Sequence, residues 1–486
     1  MSFNTRRLTS RRTFLKSAGI TAIGGLAGLG ALEWASRKGP ARVHLLDNKL
    51  RVMHVGYTDG YISMPEGIEA MPPFYPDINA PAPFTSYVFG IRDLTGMSEG
   101  QMANQKGKAQ LSAPILFCDE GSEFQVHLHN LGETQRPTGQ PDNHTLHFHG
   151  FPNQIVYFDG VPDNSLAVPP GRSLIYRYLP QDPGTYMYHC HVDDVEHVHL
   201  GLQGMVFVRP KRGANYAYDD PATRFDRQFA IHLGELDNHA HWNDNHNQDT
   251  DWSEFKAAFR LMNGRGWPDT IEPHIDPMDV KLDAKLQRLR YQPNSSLIQA
   301  EEGETVLIRL SNLGFEEHSL LLPGIPLTRV GRDAKPQGLN RPDYGAVWDP
   351  TVPNGASVAN GYPNGKRGNI TTISNRVDLG PGESRDLLFT APAYNPGRAT
   401  GPIGNPRNVY PFFNRNANFV KSESVATSDG LGGMRTEVHI YPKHGLEDPA
   451  RAVDYVGPDG TKQPRPTGLF DPATTTWTYA SGTEDL

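Results

Sequence analysis

The stretch that decides the fold is TYMYHCHVDDVEHVHLGLQGM, residues 185–205. Its beginning reads as a β-strand, in which successive side chains point to opposite faces. His189 and His191 are therefore expected on one face of the strand, with Cys190 between them on the other. A cysteine flanked in this way can serve a separate site on each side of the strand.

Further histidines lie close to this stretch in the sequence. NHTLHFHG, residues 143–150, contains His144, His147 and His149, and His197 follows Cys190. A thiolate with two imidazoles and a weak axial group favours a mononuclear copper site, and the flanking imidazoles can reach a second copper centre. The sequence therefore predicts copper as the cofactor.

The pattern of the whole chain favours an all-β fold. Short apolar runs are separated by glycine and proline, as in ILFCDEGSEFQVHLHNLG (residues 115–132), which predicts an antiparallel sandwich. The pattern recurs in LIQAEEGETVLIRLSNLGFEEHSLLLPG, residues 297–324. We interpret the two halves as diverged copies of one unit.

The N-terminus predicts export. SRRTFLK, residues 10–16, precedes a Gly- and Ala-rich apolar run, the pattern of a twin-arginine signal. The run ends at Leu32 and is shorter than the roughly 20 residues that span a bilayer. We therefore expect a periplasmic or secreted protein. With a net charge of −8, nucleic acid is not an expected partner.

These motifs resemble those of multicopper oxidases, which are built from cupredoxin domains. The resemblance is strong over about residues 110–210 and weaker over 225–442. It implies an all-β chain of two cupredoxin-like Greek-key sandwiches, with a type 1 copper in the first and oxygen reduced at a second copper centre. The electron donor could be a small molecule such as a phenol, a metal ion, or a redox protein. Two-domain relatives imply a homo-oligomer, a trimer.

The resemblance also implies roles for individual residues. The type 1 ligands would be His144, Cys190 and His197; His147 would be a type 2 ligand; and His149, His189 and His191 would be type 3 ligands. Asp159, in YFDGVP, matches the acidic residue that relays protons during oxygen reduction. An ordinary turn residue before Gly160 is the alternative reading of this aspartate.

The spacing after the cysteine departs from the family pattern. The second type 1 histidine usually follows the cysteine by five residues, whereas His197 follows it by seven. Aligning the glycines of HVHLGLQGM favours His197 and puts Leu202, which cannot coordinate, at the axial position. His199 is the alternative ligand, with Met205 then a possible axial group.

The second half lacks the expected ligands. His318 aligns with His144, but Leu321 and Pro323 stand at the two cluster positions that follow. Phe413 and Arg415 stand where the first half has the two histidines that flank its cysteine, and neither side chain binds copper. A standard three-copper cluster is not expected from these positions alone.

Three alternatives stay open at this point. Other histidines could substitute, the best group being His232, His239, His241 and His246, although their Asn- and Asp-rich setting also reads as a solvated loop. A partner protein could complete the cluster, or the site could hold fewer copper ions, as in a type 1 electron carrier or a two-copper enzyme resembling nitrite reductase. His127 and His129 share a strand face, for which we predict a solvent-facing or core role.

The predicted organisation has five segments. They are a signal peptide (1–35), an arm (40–110), a copper-binding cupredoxin-like domain (111–212), a second such domain with degenerate motifs (222–445) and a tail (446–486). Two insertions are predicted in the second domain, at about 325–375 and 393–430.

Overall fold

The computed structural model describes most of the chain. The described residues are 50–65, 80–81, 85–134, 142–152, 155–275, 277, 282–337, 346–347, 358–359, 372–401, 405–422, 431–446, 455–456 and 462–463. The predicted signal peptide and nearly all of the predicted tail lie outside these ranges. Within them, no helix has the length and apolar character needed to cross a membrane.

Eight strands form the first β-sandwich. They are β1 (Arg51–Ser63), β2 (Thr85–Asp93), β3 (Leu116–Asp119), β4 (Phe124–Gly132), β5 (His147–His149), β6 (Ser173–Tyr178), β7 (Gly184–His189) and β8 (Gln203–Arg209). One sheet has the order β2-β1-β4-β6 and the other β3-β8-β7-β5. Aromatic side chains such as Phe124, Phe148 and Tyr188 fill the core between them.

Part of the predicted arm belongs to this sandwich, so the arm prediction was wrong there. Strand β1 lies antiparallel to β2 and parallel to β4, and its Met53, Val55 and Tyr57 enter the core. The parallel partner, from Phe124 onward, lies about 70 residues away in the chain. Sequence periodicity reports local alternation and carries no signal for such a distant pairing.

The second sandwich repeats the strand order of the first. Its strands are β9 (Arg227–Leu236), β10 (Phe259–Met262), β11 (Ile298–Glu301), β12 (Thr305–Asn312), β13 (His318–Leu321), β14 (Leu327–Arg332), β15 (Lys335–Pro336), β18 (Thr372–Ser374), β19 (Arg376–Leu379), β20 (Glu383–Thr390), β21 (Asn408–Asn414) and β22 (Arg435–Tyr441). The sheets have the orders β10-β9-β12-β20-β14-β15 and β11-β22-β21-β13-β19. The additional strands β14, β15 and β18 fall in the region where the sequence predicts an insertion, and β19 follows it directly.

Two short pairs lie outside these sheets, β16 (Ala346–Val347) with β17 (Val358–Ala359) and β23 (Tyr455–Val456) with β24 (Lys462–Gln463). The described residues also form short 3-10 helices and four short α-helices: α1 (Glu99–Ala103), α2 (Asp194–Leu200), α3 (Asn238–Asn245) and α4 (Ala284–Gln287). With strands predominating and helices few, the all-β prediction is confirmed.

Helix α3 replaces the solvated loop that the composition suggested. Its cap is Asp237, whose carboxylate accepts hydrogen bonds from the backbone N–H groups of His239 and Ala240. A side-chain acceptor at this position satisfies backbone donors of the first turn, which have no partner within the helix. The aspartate therefore starts a helix where we predicted a loop.

A buried polar network joins the two sandwiches. Thr185 of β7 donates to Asp386 of β20 at 2.6 Å, and Arg309 of β12 lies 3.4 Å from the same carboxylate. Both charged side chains are almost completely buried. Because each charge has a partner, the contact fixes how strand β7, which carries His189, meets the second sandwich.

Candidate metal centres

The first candidate centre is a buried set of His144, Cys190 and His197. His144 precedes β5, Cys190 follows β7 directly, and His197 lies in α2. The Nδ1 atom of His144 is 3.7 Å from the Cys190 sulfur, and that of His197 is 3.4 Å from it. All three side chains are 1% exposed or less. The structure thus brings together the three residues predicted as type 1 ligands.

Carboxylates hold the far nitrogen of each imidazole. His144 Nε2 lies 3.2 Å from Glu133 Oε1, and His197 Nε2 lies 3.6 Å from Asp142 Oδ2. A carboxylate favours a proton on the nitrogen that it faces, which leaves Nδ1 free to bind a metal. In the neutral rings, both Nδ1 atoms therefore carry the lone pair and face the sulfur.

The surroundings favour the thiolate form of Cys190. Burial alone would raise the pKa of this thiol, but hydrogen bonds and positive charges from His144 and His197 in their protonated form outweigh it and lower the pKa to about 5. The backbone N–H of Thr145 also points at the sulfur, at 3.5 Å. Cys118 has no imidazole partner of this kind, and burial raises its pKa well above the ordinary value. The thiolate is the form that binds metals.

The donor set fits a small ion. Three ligands arranged around one ion at about 2.1 Å would lie about 3.6 Å apart, which agrees with the two nitrogen–sulfur distances. The ligand atoms of His144, Cys190 and His197 all lie within 4.8 Å of one another. Two imidazoles and a thiolate are the ligands of blue-copper sites.

The structure separates His197 from the alternative, His199. Residues two apart on a helix do not face the same side. The Nε2 of His199 accepts a hydrogen bond from the backbone N–H of Asp237, and its ring lies 5.1 Å from the ring of His241. His199 therefore points toward the second sandwich, away from the cysteine.

The candidate axial residues also differ in position. Leu202 is completely buried, and its carbonyl accepts a hydrogen bond from the backbone N–H of Cys190. Met205 is paired across the sheet with Met187, which shares a strand face with His189. Met205 therefore lies on the face opposite Cys190, which weakens the alternative that it is an axial group.

The second candidate centre lies on the other face of β7. The rings of His147 and His189 are 5.1 Å apart, and the two residues are direct partners of strands β5 and β7. His149 lies 5.9 Å from His189, and His191 lies 5.1 Å from His147, again between ring centres. The structure thus brings together all four predicted cluster histidines of the first domain.

Backbone carbonyls orient two of these rings. His147 Nδ1 donates to the carbonyl of Asp159 at 2.5 Å, and His189 Nδ1 donates to the carbonyl of Cys190 at 2.7 Å. A carbonyl can only accept, so each Nδ1 carries the proton and each Nε2 is left with a free lone pair. Burial lowers the pKa of His147 and of His149, and lowers that of His189 to about 3. These imidazoles are therefore in the neutral form that binds metals.

Asp159 lies at the edge of this second set. It follows a short 3-10 helix (Val156–Phe158), and its Oδ1 atom is 3.6 Å from His147 Nδ1. Gly160 follows with a φ of +80°, and a Cβ there would lie 2.3 Å from the carbonyl oxygen of Leu146. Asp159 is therefore both a turn residue and a partly exposed carboxylate next to the histidines.

His318, the second-domain residue that aligns with the predicted ligand His144, is engaged at both ring nitrogens. Its Nε2 lies 2.5 Å from Glu235 Oε1, and its Nδ1 accepts a hydrogen bond from the Asn414 amide at 3.1 Å. Glu316 completes a group of possible ligands, but Arg260 binds its carboxylate through two hydrogen bonds. No ring nitrogen of His318 is left for a metal in this arrangement.

The other second-domain positions agree with the sequence comparison. Leu321 pairs with Phe413 across β13 and β21, and the backbone N–H of Arg415 donates to the carbonyl of Ser319. Pro323 follows in a turn. No imidazole occupies these positions, so the second domain has no counterpart of the four-histidine set there.

The substitute histidines are dispersed. Among the described residues, no group of metal-binding side chains includes His232, His239, His241 or His246. His232 is hydrogen-bonded to Ser311 and Gln203, and His241 contacts the carbonyl of Tyr87. His246 stacks on Trp242. The proposal that these histidines form one chelating group therefore has no geometric support.

The sequence analysis missed one histidine group. His54, His127 and His129 have ligand atoms within 4.8 Å of one another. The alternating pattern of FQVHLHN indicated that the second and third share a face, but His54 reaches them only because β1 pairs with β4. That pairing is not visible in local sequence.

Comparisons with known proteins agree with this geometry. The family model described as "Multicopper oxidase" matches residues 90–212. Laccase abr2 of Aspergillus fumigatus is 29% identical over 191 residues, 36% of this chain and 31% of that protein. Copper resistance protein A of Pseudomonas syringae pv. tomato is 28% identical over 218 residues, 43% of this chain and 27% of that protein. The chain thus spans a third or less of the length of these relatives.

A solved structure extends the likeness of fold over both sandwiches. The blue copper oxidase from Nitrosomonas europaea matches with a TM-score of 0.53 and 16% identity, covering 88% of this chain and 95% of that one. The fold is therefore the cupredoxin fold of these oxidases, as predicted. Residues 90–212, which match the multicopper oxidase family model, include both histidine sets and Cys190.

Proposed function

We propose that the protein is an exported copper oxidoreductase that couples one-electron oxidation of a donor to the reduction of oxygen. The observation that carries this proposal is the position of Cys190. Its sulfur belongs to the first set, and its two neighbours in the chain, His189 and His191, belong to the second. One short piece of backbone thus joins two metal-binding sets.

The residues have distinct tasks in this proposal. His144, Cys190 and His197 would hold a type 1 copper; His147 would hold a type 2 copper; and His149, His189 and His191 would hold type 3 copper. Bound copper would supply one-electron chemistry at the first set and transfer of those electrons to oxygen at the second. Leu202 would leave the first set without a coordinating axial group, which favours reduced copper.

The link between the sets is both covalent and hydrogen-bonded. The chain passes directly from the cysteine to the histidine on either side, and His189 Nδ1 also donates to the carbonyl of Cys190 at 2.7 Å. Thr145 adds a further contact, because its N–H points at the sulfur and its hydroxyl accepts from the N–H of His191. These contacts fix the distance between the two sets.

Asp159 would supply protons to the second set. Its carboxylate is 34% exposed and lies 3.6 Å from the ring of His147. A carboxylate that contacts both solvent and the site can take up a proton and hold it where oxygen is reduced. The carbonyl of the same residue fixes the ring, so Asp159 both orients a ligand and carries the acid.

A second candidate function follows from the second sandwich. Its equivalent positions hold Leu321, Pro323, Phe413 and Arg415, so this chain supplies only half of a standard cluster at them. The protein would then be a type 1 electron carrier, a copper subunit completed by a partner, or a two-copper enzyme resembling nitrite reductase. The oxidase proposal, in contrast, includes a homo-oligomer, which resemblance to two-domain relatives suggests is a trimer.

Copper content read together with absorption and oxygen uptake tests the proposal. The copper-loaded chain should show the intense absorption of a cysteine-ligated copper, more than one copper per chain, and oxygen consumption with a phenol, Cu(I) or Mn(II) as donor. His191→Ala should lose second-set copper and oxygen consumption but keep the absorption. His444→Ala, an exposed histidine outside both sets, is the control.

The outcomes separate the two candidate functions. One copper per chain with full absorption and no oxygen uptake would favour the electron carrier and contradict the oxidase. Absence of copper would contradict both. The number of copper ions per chain should also be measured in His129→Ala, so that copper bound by His54, His127 and His129 is not assigned to the second set.

A further inference from the structure

Three histidines meet on the outer face of the first sandwich. His127 and His129 are two residues apart on β4 and therefore point to the same side. Val126, which precedes them, and Leu128, which lies between them, enter the core. His54 of β1 is the direct partner of His127 in the parallel pairing. Two strands thus present three imidazoles to one patch of surface.

The rings are close enough to share an ion. His54 Nδ1 lies 3.0 Å from His129 Nε2, and the ring centres of His54 and His127 are 4.3 Å apart. Nitrogen ligands of a tetrahedral ion at about 2.05 Å would be about 3.3 Å apart. Small movements of half-buried side chains would bring the three nitrogens to these separations.

The chemistry of the group selects the ion. Burial, followed by the charges of His127 and His129, lowers the pKa of His54 to about 4, and burial is also the main cause that lowers the pKa of the other two. At neutral pH the three rings therefore offer lone pairs and carry no charge. An all-imidazole set without a carboxylate suits Zn(II) or Cu(II) and not Ca(II) or Mg(II), which prefer oxygen.

The group is specific to the first sandwich. GSEFQVHLHNLG (121–132) corresponds to GETVLIRLSNLG (303–314), so Arg309 and Ser311 stand at the positions of His127 and His129. Arg309 is buried against Asp386 in the contact between the sandwiches, whereas the three histidines are half-buried. The repeated fold therefore does not require imidazoles at these positions.

We propose that His54, His127 and His129 bind one Zn(II) or Cu(II) ion at a site separate from the two copper sets. Three protein ligands on a half-exposed face leave a coordination position for water. The ion would also tie β1 to β4, two strands about 70 residues apart in the chain. Ion binding to the folded state alone would then stabilise the first sandwich.

Zinc titration of the copper-loaded full chain tests this proposal, after dialysis against a chelator that removes loosely bound copper but leaves the cysteine–copper absorption unchanged. With the copper sets filled, calorimetry should show one saturable Zn(II) per chain. Mutation of a residue that only hydrogen-bonds to a metal ligand costs about 10- to 100-fold in metal affinity. His129 would be a direct ligand, so His129→Ala should weaken zinc binding at least about a hundredfold. His444→Ala should bind zinc like the parent.

Two further measurements make the result decisive. Zn(II) should raise the thermal unfolding midpoint of the parent and of His444→Ala, but not of His54→Ala or His127→Gln. Equal zinc affinity in His129→Ala and His444→Ala, or no saturable binding by the parent, would overturn the proposal and leave an ordinary hydrogen bond between neutral rings. The cysteine–copper absorption should be the same in all these variants, so the result does not depend on the proposed oxidase function.

Discussion

The two sandwiches differ most at one equivalent position. In the first, His144 and Cys190 meet in the interior, and Glu133 holds the far nitrogen of the ring. In the second, His318 meets Asn414, and Glu235 holds the far nitrogen. Both sites keep a buried imidazole and a carboxylate, so the scaffold is the same. Where the first sandwich has a thiol in a candidate metal site, the second has an amide in a closed hydrogen-bonded site.

The residue next to this histidine shows the same contrast: it is an imidazole in the first sandwich and a phenyl ring in the second. His197 lies 4.9 Å from His144 between ring centres, whereas Phe419 lies 5.7 Å from His318. The guanidinium of Arg260 stacks on Phe419 at 4.0 Å, which brings a permanent positive charge close to this site. A cation and an aromatic ring disfavour copper, and packing, hydrogen bonds and the Arg260–Glu316 ion pair stabilise the second site.

Removal of Cys190 should produce the largest effect. Cys190→Ser should abolish the intense visible absorption completely, because serine supplies no thiolate to copper. Cys118→Ser, at a buried cysteine without imidazole partners, should keep the absorption. Visible spectra of the copper-loaded variants check this, and absorption that survives in Cys190→Ser would mean that the first set is not the cysteine-ligated site.

Loss of the carboxylate beside the second set should have the next largest effect. Asp159→Asn cannot release or take up a proton, so oxygen-coupled turnover should fall about 100-fold while the visible absorption stays. Asp163→Asn, at an exposed position of the same segment, is the control. Equal steady-state oxygen consumption in the two variants would assign Asp159 a turn role only.

A change at Glu235 should show how the second site is held together. Glu235 accepts hydrogen bonds from His318 and from the backbone N–H of Phe315, and it is completely buried. The two bonds reach different carboxylate oxygens and an amide has only one oxygen, so Glu235→Gln should lower the free energy of unfolding by about 2 kcal/mol.

Denaturant titration measures this loss, with Glu437→Gln as the matched control. The Glu437 side chain, which contacts His439, is 15% exposed, so its replacement should cost less than that of Glu235, whose side chain is 0% exposed. Equal losses in the two variants would contradict a structural role for the buried pair.

The smallest expected change comes from restoring the thiol alone. Asn414→Cys, made in the Cys190→Ser background, should show no cysteine–copper absorption, because Phe419 stands where the second imidazole would be. Spectra after copper loading test this. A new absorption band would show that one imidazole, a carboxylate and a thiol suffice, and that the asymmetry between the sandwiches rests on Asn414.

Much of the first site could be predicted from sequence. Alternation along TYMYHCH placed Cys190 opposite His189, because strand geometry depends only on neighbouring residues. Short spacings also placed His144, His147 and His149 near one another. The arm was misassigned and helix α3 was taken for a loop, because β1 depends on a distant partner and the Asp237 cap outweighed the loop-like composition around it.

The sequence by itself determined the ligand types, the all-β fold and the missing histidines of the second half, since these depend on residue identity and local alternation. Only the tertiary structure decided between His197 and His199, because the path of α2 sends one toward the thiol and the other toward the second sandwich. It also brought His54 to His127 and His129. Contacts between distant strands depend on how sheets assemble, which no short stretch of sequence encodes.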